Sequence, residues 1–252
     1  MTALLASHGV NTDVLVNGLV VSQYFNQADP SLTRDKAESS AFKQLFKSYV
    51  AGLADGVVAI AGMYDSSNAT AEDPLLYGYL TQATSTDNYW IHAPLGAQGA
   101  SAFGNPAKSI SGIATKYEIK SALNSVNAIT AEVQLDNTGG GLDNGLILSP
   151  WVTQGSAGTG SSTNNTAGAT TNGGVLIVHA FSDTASLVVN LQDSADNSTF
   201  ANVSGFTISP TNATAAAYRF PAAGVAPSGT IRQYTRITWT GTGTFLALFS
   251  RK

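Results

Sequence analysis

The chain has 252 residues, of which 11% are charged and 43% are apolar, and it contains no cysteine. The lack of cysteine excludes disulfides, thiolate catalysis and zinc sites built on cysteine. The length permits two domains, and abundant small and polar residues with few charges are typical of short strands and tight turns. No run approaches the roughly 18 apolar residues that a spanning helix needs, so we predict no membrane span.

The net charge of -4 is unevenly placed along the chain. Residues 1–150 hold 7 Lys/Arg against 13 Asp/Glu, whereas residues 151–252 hold 5 against 3. Neither half has the basic excess of a nucleic-acid-binding protein. The first ten residues lack a basic segment followed by a long apolar one, so we interpret them as mature sequence.

The first predicted element is a hairpin. Residues 13–25 contain two β-branched runs around Asn17-Gly18, which is a strong signal for a two-residue hairpin turn. The polar stretch 26–40 is predicted to be an exposed loop or a sheet edge. Apolar residues at three- and four-residue spacing then predict a short amphipathic helix: Phe42, Leu45, Phe46, Tyr49 and Val50.

The remainder of the first half is predicted to be β-rich. Residues 56–64 form an apolar run typical of a buried strand. A helix of about three turns is predicted from Thr70, which is a possible N-cap followed by Asp73 and Pro74. Four strand-like segments complete a first domain over residues 1–150: 88–93, 109–123, 128–135 and 145–149.

Residues 151–173 are predicted to be a linker, because the tract is rich in Gly, Ser, Thr and Asn and is too polar to build a core. Six short strand-like runs follow it within residues 174–252 at sandwich-like spacing. We therefore predict a second, small all-β domain at the end of the chain.

Catalytic signals are lacking in the sequence. His8, His92 and His179 are far apart and belong to no metal-binding motif, and no phosphate-binding loop or nucleophile elbow occurs. Glu118 and Glu132 lie on predicted strands, but nothing pairs either with a proton donor. We predict no catalytic residue, no metal site, no cofactor and no enzymatic activity.

Two further features leave alternatives open. Residues 193–199 could offer oxygen ligands to calcium, but Asp and Asn between two strands are more typical of a turn. The apolar side chains between Phe42 and Tyr49 could cover the sheet of their own subunit or dock on another copy. The three tryptophans form no visible row of sugar-binding platforms, and an aromatic residue in a β protein is more often part of the core.

The pattern of residues 16–65 resembles that of a known protein family. This segment contains VNG near its start, RDKAE at 34–38, and FKSYVAGLADG at 46–56 before VVAIAGMYD. The pattern resembles the major tail tube proteins of long-tailed, siphovirus-like bacteriophages, in which a tyrosine-containing run ends in Pro-Gly-Leu-x-Asp-Gly before a strand. Ala51 stands in place of the usual proline. Residues 114–119 and 131–135 resemble the final strands of that fold, and 174–252 more distantly resembles its appended C-terminal β unit.

The resemblance implies a mainly β fold, namely a tail-tube-type β-sandwich or barrel with one flanking α-helix and a C-terminal small all-β sandwich on the tube exterior. It implies hexameric rings that stack into the conduit for DNA ejection, with DNA passing through the lumen without specific binding. Implied partners are further copies of the chain and the tape measure, tail terminator and distal tail proteins. The implied location is the virion tail, assembled in the host cytoplasm without a membrane.

By analogy with that family, residues 31–50 are predicted to form the element that touches the next ring. The candidate interface residues are Arg34, Lys36, Phe42, Lys43, Leu45, Phe46, Lys47 and Tyr49. Two alternatives stay open at this point. The chain could be a capsid decoration protein or a carbohydrate-binding adhesin module, or a trimer of duplicated domains could imitate sixfold symmetry.

Overall fold

The fold is described by a computed structural model over residues 12–40, 46–64, 76–78, 80, 88–93, 102–123, 125–135, 142–210, 215–222 and 225–252. The chain is almost entirely β, with 68% of residues in strands and 2% in helix. The prediction of a mainly β fold is therefore confirmed.

The strands are antiparallel and belong to one hydrogen-bonded sheet among the described residues. In chain order they are β1 (Asp13–Val16), β2 (Leu19–Val20), β3 (Phe25–Glu38), β4 (Tyr49–Met63), β5 (Asn88–Ala93), β6 (Pro106–Lys120), β7 (Ala128–Leu135), β8 (Leu142–Gln154), β9 (Gly158–Thr159), β10 (Thr163–Asn164), β11 (Gly174–Ser194), β12 (Ala201–Ile208), β13 (Ala216–Phe220) and β14 (Tyr234–Arg251).

Strand β6 connects the two parts of the sheet. The main path runs β12-β11-β14-β8-β6-β5-β1-β2. The first residues of β6 lie between β8 and β5, while the later ones pair with β7. Strand β7 then pairs with β4, and β4 with β3. The chain therefore carries a four-stranded portion, β3-β4-β7-β6, that extends from the main path.

Three clusters of buried apolar side chains form the core. One lies beneath the four-stranded portion and includes Val58, Ile60, Trp90, Ile129 and Val133. A second lies between β11, β12 and β14 in the C-terminal half. The third joins the two halves, since its members come from β1, β5, β6, β8, β11 and β14: Leu15, Ile91, Ala93, Ala107, Ile147, Val175, Ile177, Leu246 and Leu248.

The predicted opening hairpin is confirmed. Strands β1 and β2 pair through Leu15–Val20 and Val16–Leu19. Asn17 and Gly18 occupy the turn with φ values of 43° and 85°. Positive φ at both central positions is the requirement of a type I′ turn, which explains the Asn-Gly pair.

The helix predicted over residues 42–50 is wrong in its described part, because residues 46–48 are irregular and Tyr49 begins β4. Residues 41–45, with Phe42, Lys43 and Leu45, lie outside the described residues. The helix predicted from Thr70 is described only at residues 76–78 and 80, which are helical. The polar stretch 26–40 is mostly strand β3, which fits the sheet-edge alternative.

The tract predicted to be a linker contains two short strands. Strands β9 and β10 both pair with β14, and β8 extends into the tract as far as Gln154. The two halves also share the junction cluster described above. The division into two domains stays a prediction, but the connecting tract lies against the second half instead of spanning a gap.

A buried hydrogen bond joins the first hairpin to the C-terminal half. The backbone N–H of Gly18 donates to Nδ1 of His179 on β11, at 3.1 Å. His179 is completely buried, and this burial lowers its pKa from 6.5 to about 3. Because Nδ1 accepts a hydrogen bond, the ring is the neutral tautomer with its proton on Nε2.

We expect Gly18→Ala to be strongly destabilising. A Cβ at this position would lie 2.4 Å from the backbone nitrogen of Ala216 and 2.6 Å from the carbonyl oxygen of Ala180. The loss in free energy of unfolding should exceed about 3 kcal/mol in chemical denaturation. Gly104→Ala is the matched control, since its φ is also positive but no atom lies within 4 Å. Equal losses in both variants would contradict the steric explanation.

We also expect His179 to make stability depend on pH. Its folded pKa is depressed, so the unfolded chain binds a proton first, and stability falls as pH drops from 6.5 towards 3. The loss should be on the order of 4 kcal/mol across that window. His179→Asn keeps an acceptor near the Nδ1 position but does not titrate. The difference between the two proteins in denaturation at several pH values measures the effect, and parallel pH curves would contradict it.

Candidate assembly surfaces

The first exposed edge of the sheet is strand β3. It pairs with β4 along its length and with no other described strand. Its side chains are mostly exposed, and Pro30 and several charged residues lie along it. Proline and charges are the usual means by which a free strand edge avoids indiscriminate pairing. Strand β3 is thus an edge that is protected against aggregation but still able to pair.

The second exposed edge is the later part of β6. Beyond Gly112 this strand pairs with β7 and with no other described strand. The four-stranded portion therefore has different edges, β3 on one side and β6 on the other. Strand direction alternates across all four strands, so β3 and β6 run in opposite directions.

Strands β3 and β4 extend together beyond the sheet as a two-stranded arm. Strand β7 reaches β4 only from Val57 to Met63, whereas β3 continues to pair with β4 as far as Glu38–Tyr49. We define the arm as residues 32–40 and 46–54. Its described side chains are exposed on both faces, including Leu32, Phe46 and Val50. An isolated pair of strands is marginally stable in water, so the arm is suited to pack against something else.

The base of the arm coincides with the Asp55-Gly56 pair of the family-like motif. The side-chain nitrogen of Gln134 on β7 donates to Asp55 Oδ1 and, at 2.8 Å, to the carbonyl oxygen of Gly56. A Cβ on Gly56 would lie 2.3 Å from Cδ1 of Leu135. The added Cβ would also lie 2.8 Å from the carbonyl oxygen of Ser31 on β3, so a larger residue would force the strand backbone to shift where the arm leaves the sheet.

Five of the eight predicted interface residues lie on the arm. Arg34 and Lys36 are exposed on β3, and Phe46, Lys47 and Tyr49 are exposed at the start of the returning strand. The Lys36 ammonium lies 4.9 Å from the centre of the Tyr49 ring, and Lys47 pairs with Glu38 at 3.0 Å. Phe42, Lys43 and Leu45 lie outside the described residues. Their role in an interface stays a prediction.

The four-stranded portion has a charged face opposite its core. Cross-strand partners place Asp29, Asp55, Glu118 and Glu132 on this face together with Lys116 and Lys120. Four carboxylates against two ammonium groups leave a net charge of -2. Lys116 lies 3.3 Å from Glu132 and 3.9 Å from Glu118, while Lys120 lies 3.6 Å from Glu118. These are exposed ion pairs, which contribute little to stability. Sequence reasoning missed this face, because it depends on strand register.

Histidine and tryptophan side chains in the described part of the chain are mostly structural. His179 lies in the junction, the side chain of His92 is not described, and His8 lies outside the described residues. Trp90 and Trp239 are buried in the two main clusters, and Trp151 is half-buried near Phe181. Within the described ranges, no three His, Cys, Asp or Glu residues are grouped to hold a metal. The helical residues described are too few to cross a membrane.

The 193–199 segment is a turn with its carboxylates already engaged. Oδ2 of Asp193 accepts from the backbone N–H of Arg232 at 2.7 Å, and Oδ1 accepts from its side chain at 2.8 Å. Oδ1 of Asp196 accepts from the N–H groups of Ser198 and Thr199, both at 2.9 Å. These backbone hydrogen bonds hold the pKa of Asp196 well below its usual range.

Comparisons with known proteins give weak structural similarities only. No family model and no curated protein matches the sequence. A native gene transfer agent virion contains a chain with 10% identity and a TM-score of 0.41, covering 55% of this chain and 98% of that one. A sheath–tube complex of an extracellular contractile injection system has 10% identity and a TM-score of 0.43, covering 53% and 89%. The SPP1 Dit protein has 11% identity and a TM-score of 0.36, covering 96% and 99%. These values establish no family.

We expect calcium to leave the stability of the chain unchanged. The carboxylates of Asp193 and Asp196 already accept protein hydrogen bonds, so an ion would have to displace Arg232 or break the turn. Thermal unfolding in millimolar calcium should match unfolding in a chelator. An upward shift that disappears in Asp196→Asn would show that the segment binds calcium after all.

Proposed function

We propose that this chain is a non-enzymatic structural subunit of a phage-type tail, and specifically a tail tube subunit that forms stacked hexameric rings. The proposal rests on one observation above the others. The four-stranded portion has two different free edges of opposite direction, and an arm leaves it at one end. That geometry suits ring closure through the edges and stacking through the arm.

Ring closure follows from the direction of the strands. If β3 of one copy lies beside β6 of the next, the two strands are antiparallel and the alternation continues unbroken around the ring. The unpaired N–H and C=O groups of both edges would then be satisfied. The contact joins two different surfaces, so it is a heterologous interface that closes by rotation.

Six copies would build a barrel of 24 strands around the lumen. The number six comes from the family resemblance. With strands about 4.8 Å apart and tilted by about 40°, such a barrel has a backbone diameter of roughly 48 Å. Side chains of roughly 5 Å on the wall would leave a channel of roughly 38 Å, which is wide enough for a DNA duplex.

The charged face would line that channel. The opposite face of the four-stranded portion covers the apolar core of the same subunit, so only the charged face is left for the lumen. Its net charge of -2 per copy opposes the counterion-driven attraction of DNA to a basic surface. A lining in which carboxylates outnumber ammonium groups therefore suits a conduit through which DNA passes without being held.

The arm would join one ring to the next, and the second half of the chain would face outward. We place this assembly in the virion tail, formed in the host cytoplasm, with the tape measure, tail terminator and distal tail proteins as partners. The alternative of a glycan-binding adhesin has less support, because two of the three tryptophans, Trp90 and Trp239, are buried. A capsid decoration protein is distinguished from a tube subunit by the test below.

Electron microscopy of an arm deletion tests the proposal. Residues 34–54 are replaced by Asn-Gly, which joins the Thr33–Asp55 pair by a two-residue hairpin turn. The complete chain should form tubes, and the shortened chain should form rings that do not stack. Thermal unfolding should be nearly unchanged, because no described side chain of the arm belongs to a core cluster.

Three outcomes would contradict the proposal. Normal tubes from the shortened chain would show that the arm is not needed for stacking. Discrete monomers or trimers from the complete chain would favour the decoration or adhesin alternative. Rings of the complete chain that never stack would indicate a hub or adaptor ring of the tail instead of its tube.

A further inference from the structure

The turn between β6 and β7 has an unusual surface. Leu123 is 94% exposed and Val126 is 69% exposed. Turns at the surface are normally built from polar residues, glycine and proline. Met63, also exposed, pairs with Ala128 at the start of β7, directly beside this turn. Three apolar side chains from two elements therefore form a small patch, which we call the turn patch: Met63, Leu123 and Val126.

The turn patch lies at the opposite end of the four-stranded portion from the arm. Strand β4 runs from Tyr49 at the arm to Met63 at the patch over 15 residues. This length corresponds to about 46 Å at 3.3 Å per residue. In a ring closed through β3 and β6, every arm would leave on one side and every turn patch would face the other side.

The two ends match each other chemically. The arm end presents Phe46, which is 84% exposed, beside the Glu38–Lys47 pair. The turn end presents Leu123 and Val126 close to the Glu118–Lys120 pair. Each end thus offers exposed apolar side chains beside an exposed ion pair. When two copies meet end to end, the charges can exchange partners without leaving any of them unpaired.

We infer that the turn patch receives the arm of a second copy of this chain in the adjacent ring. This inference rests on the proposed function, because it names the receiving surface for the stacking arm. The contact is heterologous, and repetition of a heterologous contact along an axis produces an open stack. The same two surfaces therefore serve every junction between rings.

The size of the arm explains why rings would have to form first. The β3 part of the arm, from Leu32 to Glu38, extends about 23 Å, and a two-stranded ribbon is roughly 10 Å wide. Such a ribbon buries less than the approximately 800 Å² per partner of a typical stable interface. One arm alone would hold a partner weakly, whereas six arms on a ring engage together and gain from their high effective concentration.

Polar substitution of the turn patch tests the inference. Leu123→Ser with Val126→Ser changes only exposed side chains, so the protein should fold and form rings. The critical concentration for tube growth should rise at least about tenfold, because six receiving sites weaken together in each ring. Val225→Ser is the matched control, since Val225 is also exposed but belongs to the C-terminal half. Normal tube growth of the doubly substituted chain would overturn the inference.

Cross-linking separates this inference from the proposed function. The chain has no cysteine, so Phe46→Cys and Leu123→Cys each introduce a single thiol. Tubes grown from a mixture of the two variants should yield dimers with a short bismaleimide, and mixtures of Phe46→Cys with Val225→Cys should not. If tubes form only when the arm is present but give no cross-link between positions 46 and 123, the inference is overturned and the proposed function is left intact. A complete chain that forms no tubes would overturn both.

Discussion

The proposed assembly depends on one physical constraint, which is the need to satisfy backbone hydrogen bonds at strand edges. Strand β3 pairs on one side with β4, and β6 beyond Gly112 pairs on one side with β7. Edges of this kind are protected by charge, proline or a partner. The proline and charges of β3 limit random pairing, and the opposite directions of β3 and β6 allow one ordered arrangement. If the chain forms rings as proposed, their closure would satisfy these backbone groups and would depend less on any particular side chain.

The junction around Gly18 and His179 gives the four-stranded portion a firm support. The first hairpin lies against β11 and β13 so closely that position 18 has no room for a Cβ. The buried imidazole accepts the Gly18 N–H, and the shared apolar cluster surrounds the contact. A packed junction of this kind would suit the proposed conduit subunit, because it can transmit force between the two halves better than a free linker would.

Charged side chains have different roles in three regions of this protein. On the face of the four-stranded portion, carboxylates exceed ammonium groups and suit a surface that does not hold DNA. On the arm, Lys47 and Glu38 lie beside apolar side chains and suit a reversible protein contact. Near β12, Asp193 is buried and paired with Arg232, which holds a turn in place. Of these carboxylates only that of Asp193 is buried, so removal of Arg232 would leave a buried charge without its ion-pair partner and would destabilise the fold.

Sequence alone determined the features that depend on neighbouring residues. The Asn17-Gly18 turn, the mainly β character and the exposure of residues 26–40 follow from local turn chemistry and composition, and the structure bears them out. The helix over residues 42–50 was also a local inference, but it fails at Tyr49 and Val50, because pairing with Glu38 and Ala37 outweighs their spacing.

Only the tertiary structure decided which distant segments meet. The tract after Gln154 has no periodic pattern, yet Gly158 and Thr163 pair with β14 more than 70 residues later. Gly18 meets His179 across 161 residues. The edge character of β6 and the placement of the arm opposite the turn patch likewise depend on strand order. Sequence patterns record the environment of each residue, whereas strand order is a cooperative property of the whole sheet. The sequence therefore predicted the stacking segment 31–50 only through a family resemblance, and it could not locate the edge of β6 or the turn patch.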